Sequence, residues 1–162
     1  MGRRFIVALM VLTACAAAFA QSTDAARLFL GNWEGPANVF DEQNVATPTN
    51  AKLSIFPAPN DPRRYVVELT LFGDKVSRFT RSTLVDDHEL RVRDDVLVEL
   101  RRVRADGVLR TSDGVRIEEG YIRFFVDDGG GDFRPYYAVK LMAKRVASSR
   151  ATPTPPASTP GH

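Results

Sequence analysis

The sequence predicts an all-β protein: an antiparallel up-and-down meander of about eight or nine strands, closed or nearly closed into a barrel, with one short helical turn at its start. Three observations carry that prediction. Through the middle of the chain, hydrophobic residues recur with a period of two, the spacing of a strand that buries one face. Turn-forming pairs fall between these runs, namely Gly73-Asp74, Asp94-Asp95, Asp106-Gly107 and Asp113-Gly114, and Asp-Gly is a strong hairpin signal. Only residues 24–30 read as helical, long enough for a single turn, with Asp24 or Thr23 as its cap.

The chain has 162 residues, the length of one domain with appendages. Residues 1–20 have the layout of a secretory signal: Arg3 and Arg4, an apolar run from Phe5 to Leu12, and Ala18-Phe19-Ala20 ahead of Gln21. The strongly apolar part is much shorter than the ~20 residues a membrane-spanning helix needs. Export to the periplasm or the exterior is therefore expected. Cys15 is the only cysteine. It follows Leu12-Thr13-Ala14, a lipobox-like run, so Cys15 is a candidate for lipidation and would tether the protein to a membrane. The apolar tract continues through Ala20, which favours cleavage there and an untethered product. Removal of the signal takes away Arg3 and Arg4 and no acid, so the formal charge of +2 falls to zero. A balanced chain has no global pull toward nucleic acid, and a domain without cysteine has no thiol chemistry.

The domain is expected over 21–146. Leu53 and Ile55 share a face, as do Tyr65, Val67, Leu69 and Leu71. Leu90 and Val92 form a third set, Val96, Val98 and Leu100 a fourth, and Val115 and Ile117 a fifth. Near the end Tyr137, Val139, Leu141 and Ala143 alternate with polar residues. Gly120, inside a strand-like stretch, marks a bend or bulge. Residues 127–132 form a glycine-rich acidic loop between the last two strands. A meander of this length hides its edges best by closing on itself, with an open sandwich as the alternative. Residues 147–162 carry Pro, Thr and Ser and no large apolar side chain, the composition of a disordered tail.

The segment Leu28-Phe29-Leu30-Gly31-Asn32-Trp33-Glu34-Gly35 resembles the start of lipocalin-like (calycin) barrels, in which a Gly-x-Trp opens the first strand after a short helical turn. It is also similar to small secreted bacterial barrels that begin Leu-Gly-x-Trp. The resemblance implies structural roles for Gly31 and Trp33, with Trp33 closing the barrel floor beneath a basic side chain from a late strand. Lys140, Lys144 and Arg145 are the candidates for that partner. The later motifs of true lipocalins are missing.

The chemistry the sequence offers is sparse. No cofactor is expected: the late strands hold no histidine for haem, although Tyr136 or Tyr137 has a hydroxyl that can ligate iron. Asp86-Asp87-His88-Glu89 is not a metal cluster, because consecutive strand residues point to opposite sides. The 127–132 loop lacks the spacing of a calcium-binding loop. No nucleophile elbow or phosphate-binding glycine loop occurs. Arg101, Arg102 and Arg104, with Arg91 and Arg93 near them, are expected to pair with Asp94, Asp95 and Glu99 across the sheet. They have no interleaved aromatics, so no nucleic-acid partner is expected. The sequence thus points to a non-enzymatic envelope protein whose barrel takes a small apolar or amphipathic ligand, lined by Tyr65, Phe79, Phe125 and Tyr137. The alternatives are a module docking on another envelope component and, less favoured, a hydrolase or metal-binding protein built round His88.

Overall fold

The first strand begins where the helical turn ends. The computed structural model describes residues 26–98, 101–127 and 129–147. The signal segment, Cys15, the tail beyond 147 and the facing of Val96, Val98 and Leu100 lie outside what it describes. Residues 26–29 form one turn, closed by the Leu30 amide donating to the Ala26 carbonyl at 3.1 Å. Eight strands follow: β1 (Gly31–Phe40), β2 (Ala46–Ala58), β3 (Asp61–Leu71), β4 (Lys75–Leu84), β5 (Glu89–Val98), β6 (Arg101–Arg110), β7 (Arg116–Asp127) and β8 (Arg134–Val146). Each pairs antiparallel with the next, and β8 returns to β1, from Asn32↔Val146 to Phe40↔Ala138, closing the barrel. The predicted all-β meander is therefore a closed eight-stranded barrel, an architecture that fits a lipocalin-like fold.

Alternation decides which side chains fill it. Leu53, Ile55, Tyr65, Val67, Leu69, Leu71, Leu90, Val92, Val139, Leu141 and Ala143 are all buried in one core cluster, with Tyr137 packed against it. Burying a side chain of this kind stabilises by about 1.5–3 kcal/mol, so the inward stripe of every strand holds the barrel shut. The outward faces carry cross-strand ion pairs instead. Asp106 lies between Arg93 (3.2 Å) and Arg123 (3.5 Å), and Arg110 between Glu89 (3.0 Å) and Glu119 (2.7 Å). Exposed pairs like these contribute ~0–1 kcal/mol each; they set register more than stability.

Three expectations from the sequence are corrected. Val115 does not share a face with Ile117: it lies in the turn over 112–115 and is exposed, while Ile117 is buried. The Asp113 carboxylate accepts the Val115 and Arg116 amides there, at 2.8 and 3.0 Å, which is what ends the preceding strand. Asp106-Gly107 is not a hairpin but the middle of β6. The glycine is needed for close approach, since a Cβ at Gly107 would stand 2.5 Å from the Tyr121 carbonyl oxygen on β7. Asp94-Asp95 is likewise inside β5. Residues 99–100, between β5 and β6, lie outside the described residues. Gly120 does mark a bulge, with the β7–β8 register shifting between Ile117 and Gly120.

Among the described residues Asp94 pairs with no arginine either. The β4–β5 ladder holds only Thr83↔Arg91 and Leu84↔Leu90. Farther along, the Asp94 carboxylate takes the place of a strand partner. Its Oδ2 accepts the Thr80 amide at 2.6 Å and the Thr80 hydroxyl at 3.2 Å, and Oδ1 accepts the Asp95 amide at 2.8 Å. Asp94 is 7% exposed, and a hydrogen bond to a charged acceptor contributes about 1.5–3 kcal/mol. Asp94→Ala is expected to lower stability by about 2 kcal/mol in urea unfolding and to speed hydrogen exchange at the Thr80 amide. Unchanged exchange at that amide would show that the carboxylate is not what closes the seam.

Candidate functional site

The two ends of the barrel differ, and only one of them offers a candidate site. At one end Trp33 enters the core from the start of β1, 1% exposed, its Nε1 donating to the Phe29 carbonyl at 2.9 Å. Of the three basic residues that the sequence left open as its partner, Arg145 is the one in place. Its guanidinium carbon stands 4.4 Å from the indole centroid. Arg145 Nε donates to the Gly114 carbonyl at 2.6 Å, Nη2 to Leu28 at 2.6 Å and Arg27 at 3.2 Å, and Nη1 to Leu30. One side chain thus caps the helical turn, ties down the β6–β7 turn and covers the tryptophan. Partial burial draws its pKa below the ordinary arginine value, and it stays charged at any physiological pH. Gly31 adopts φ +128°, and a Cβ there would come within 3.1 Å of Arg145 Nη1; the glycine makes room for the fork. Lys140 lies outside, over Phe40 and Tyr121, and Lys144 is exposed. This end is a structural floor.

Above the floor the described core side chains are closely packed. Phe29, Val67, Leu69, Leu90, Val92, Leu109, Ile122 and Val139 have no exposed surface, so no water-sized void touches them. Small barrels are commonly packed in this way by their own side chains. An aromatic column caps the filling on the other side. Phe79 meets Phe124 at 5.8 Å between centroids, Phe124 stacks on Tyr137 at 4.0 Å and 15°, and Tyr137 meets Tyr136 edge-on at 5.2 Å and 71°.

The open end begins at Tyr137. Here a depression of about 430 Å³ is lined by Val39, Asp41, Glu42, Gln43, Thr47, Phe72, Tyr136 and Tyr137, within the ~300–1,000 Å³ of small-molecule sites. Its walls come from the end of β1, the β1–β2 loop, the start of β2, the β3–β4 turn and the start of β8. Phe72 and Tyr136 present their rings 45% and 46% exposed. Phe72 stands in the turn at φ +54°, a left-handed conformation uncommon for a bulky residue. Its amide donates to Thr49 Oγ1 at 3.2 Å. Burial pushes the Tyr137 hydroxyl up to about 12, against a hydrogen bond with Ser77, so it is neutral at physiological pH. On the rim, Asp41 Oδ1 accepts the Gln43 and Val45 amides at 3.0 and 2.8 Å, and Glu42 pairs with Arg134 at 3.0 Å.

The four aromatics expected to line one cavity do not gather round one. Tyr65 and Phe79 are buried core residues. Phe125 is on the outer wall, because β7 turns Ile122, Phe124 and Val126 inward and Tyr121, Arg123 and Phe125 outward; Arg123 lies 5.5 Å from its ring. Tyr137 alone of the four reaches the depression. Sequence reasoning missed Phe72, Asp41 and Glu42, and it named Tyr136 only as a side chain able to ligate iron. Phe72 had one visible signal, an aromatic placed directly before the Gly73-Asp74 turn, where no core face exists.

A larger groove, about 960 Å³, runs along the outer wall between Arg64, Arg81, Arg93, Arg104, Asp95, Phe125 and Phe133. Several of its charges are paired: Arg64 with Asp61 at 3.0 Å, Arg93 with Asp106 at 3.2 Å and Arg104 with Asp95 at 3.6 Å, and Arg104 covers the Phe133 ring at 3.9 Å. The arginine-rich stretch is thus largely a paired surface. The other polar clusters are spent on turns. His88 Nδ1 lies 3.1 Å from the Thr111 carbonyl and Asp86 accepts the His88 amide at 2.7 Å. Asp127 accepts the Gly129 and Gly131 amides at 2.8 and 3.0 Å, bonds that hold its carboxyl below the usual range. Among the described residues no group of three or more His, Cys, Asp or Glu side chains is placed to hold a metal.

No protein-family model matches this chain, and no curated protein does. Solved structures similar to it include a redesigned β-barrel, 12% identical, covering 76% of this chain and 96% of its own, with a TM-score of 0.43. A protein of unknown function of the DUF3598 family from Nostoc punctiforme is 10% identical over 78% of this chain, with a TM-score of 0.45. The chain spans about half of that protein, 47%. An S-type phycobiliprotein lyase from Guillardia theta is 10% identical, covering 76% of this chain and 91% of its own, with a TM-score of 0.39.

Proposed function

We propose that this is an exported, non-enzymatic envelope protein of lipocalin-like type that binds a small amphipathic molecule at the mouth of its barrel. The observation that carries the reading is the open-end depression, where exposed faces of Phe72 and Tyr136 meet the half-buried Tyr137 above a packed interior. Concave sites with apolar walls and a few polar groups are where proteins hold small ligands. Export rests on the basic, apolar and small-residue order of residues 1–20, with Cys15 as the alternative anchor point.

The test is chemical-shift mapping with a set of small amphiphiles of positive, zero and negative charge. At least one is expected to perturb Val39, Thr47, Phe72, Tyr136 and Tyr137 together. The Phe72→Ala, Tyr136→Ala double variant should weaken that binding about tenfold, whereas Phe125→Ala should leave it unchanged. Perturbations confined to the outer wall round Phe125 and Phe133, or none at all, would overturn the reading.

A further inference from the structure

We infer that the mouth site selects organic cations, ammonium groups carried on a small apolar body, over neutral or anionic molecules of the same shape. The inference rests on the mouth being the ligand site, and adds the charge of what enters it. Three observations carry it.

The first is the sign of the lining. The whole chain is nearly balanced, with 22 Lys and Arg against 20 Asp and Glu, and the charged residues of the lining itself are Asp41 and Glu42, with Arg134 on Glu42 and Lys75 over the Phe72 ring standing behind that lining. Both carboxylates have capacity to spare. Asp41 spends Oδ1 on two loop amides and leaves Oδ2 without a partner among the described residues. Glu42 gives Oε1 to Arg134, in a pair whose side chains are 41% and 50% exposed; a surface pair of that kind is weak enough for a ligand cation to share.

The second is the disposition of the rings. Aromatic faces carry negative electrostatic potential, and a cation within ~6 Å of a ring centroid is attracted to it. Tyr136 and Tyr137 stand at 71° to one another, two walls of a corner, and Phe72 provides a further wall of the same depression. Tyr137 has one face stacked on Phe124 and keeps its proton, so the corner offers the exposed Tyr136 and Phe72 rings and a hydroxyl and no phenolate.

The third is Phe72 itself. Phe72 at φ +54° and Gly73 at φ +87° make the β3–β4 turn, and that turn sets the Phe72 ring at the rim, 45% exposed, rather than in the core. The chain's own Lys75 ammonium already stands 5.7 Å from that ring, showing that the ring is presented in a way a cation can meet.

The experiment is a titration of the purified full chain, followed by NMR at the Phe72 and Tyr136 rings, with three probes of one shape. They are choline, its carbon analogue 3,3-dimethylbutan-1-ol, and 3,3-dimethylbutanoate. Choline is expected to bind at least tenfold more tightly than the alcohol, and the carboxylate more weakly still. The Asp41→Asn, Glu42→Gln double variant should cut choline binding about tenfold and leave the alcohol unchanged. The amide introduced by Asp41→Asn retains an oxygen for the Gln43 and Val45 amides, and unchanged Trp33 emission would confirm that the barrel is intact. If the alcohol binds at the mouth as tightly as choline, the inference is overturned while the mouth stands as the site. If none of the three perturbs the mouth and the wider set of amphiphiles also fails there, the site itself is wrong and the inference falls with it.

Discussion

Arg145→Ala should destabilise the barrel by about 3–4 kcal/mol and lower its melting temperature by on the order of 10 °C. The guanidinium donates to four backbone carbonyls drawn from the helical turn, Leu30 just ahead of β1 and the β6–β7 turn. Hydrogen bonds from a charged donor contribute ~1.5–3 kcal/mol each when measured singly. They are not additive here, because the side chain is partly solvated and losing one bond loosens the others. The contact with the Trp33 face adds ~0.5–1 kcal/mol. Arg145→Lys should recover less than half of the loss, since one ammonium cannot reach carbonyls spread round a planar fork. Trp33 is the only tryptophan, so its emission reports the floor directly: blue-shifted in the native protein, shifted to the red and more easily quenched in both variants. A melting temperature within about 2 °C of the parent for Arg145→Ala, well short of the expected drop, would show that the floor is held by Phe29 and Trp33 packing alone.

That floor was partly legible in the sequence. Gly31-Asn32-Trp33 after a short apolar turn placed the tryptophan at the barrel's closed end, but spacing could not choose between Lys140, Lys144 and Arg145. The choice is made in three dimensions: odd-numbered Arg145 shares the strand face of Ala143 and Leu141, bringing its fork beneath the helical turn, while Lys140 and Lys144 face outward. The strand pattern was legible for the same reason throughout, because alternation is a local property that the core only has to accept. What misled was turn chemistry. Asp106-Gly107 has the composition of a hairpin, yet its glycine serves a neighbouring strand's carbonyl 2.5 Å from where a Cβ would be, and its aspartate serves two arginines. Asp94-Asp95 reads as a turn for the same reason, although Asp94 replaces a missing ladder bond to Thr80. Close approach between strands and side-chain substitution for backbone pairing are long-range facts, and a window of neighbouring residues does not contain them. The mouth was illegible for a related reason. Its rings come from β8 and the β3–β4 turn and its carboxylates from the β1–β2 loop, segments far apart in the chain, and exposed aromatics at strand ends have no period to betray them.

Phe124→Ala tests whether the mouth is a separate site or the visible end of a ligand cavity. Phe124 is 4% exposed, with Tyr137 stacked 4.0 Å away on one side and Phe79 tilted against it at 5.8 Å. It therefore stands between the depression and the packed interior. Truncating a buried phenylalanine to alanine costs ~3–5 kcal/mol, through lost burial and the cavity left behind. A loss of about 4 kcal/mol is expected here, with Phe124→Leu costing about 1 kcal/mol because most of the volume is kept. The vacated space borders Tyr137, Phe79 and the apolar layer below, so it should stay free of water and admit a benzene-sized apolar probe. Benzene is accordingly expected to raise the melting temperature of Phe124→Ala and to leave the parent protein unmoved, since a ligand stabilises only the state that binds it. Binding of benzene by the parent would mean that the column opens of its own accord and that apolar ligands reach the interior. Failure of the variant to bind it, together with a loss below about 1 kcal/mol, would mean that the barrel collapses round the gap. In the expected case, an apolar pocket has to be made by mutation, and the native protein leaves the proposed ligand only the rings and carboxylates of the rim.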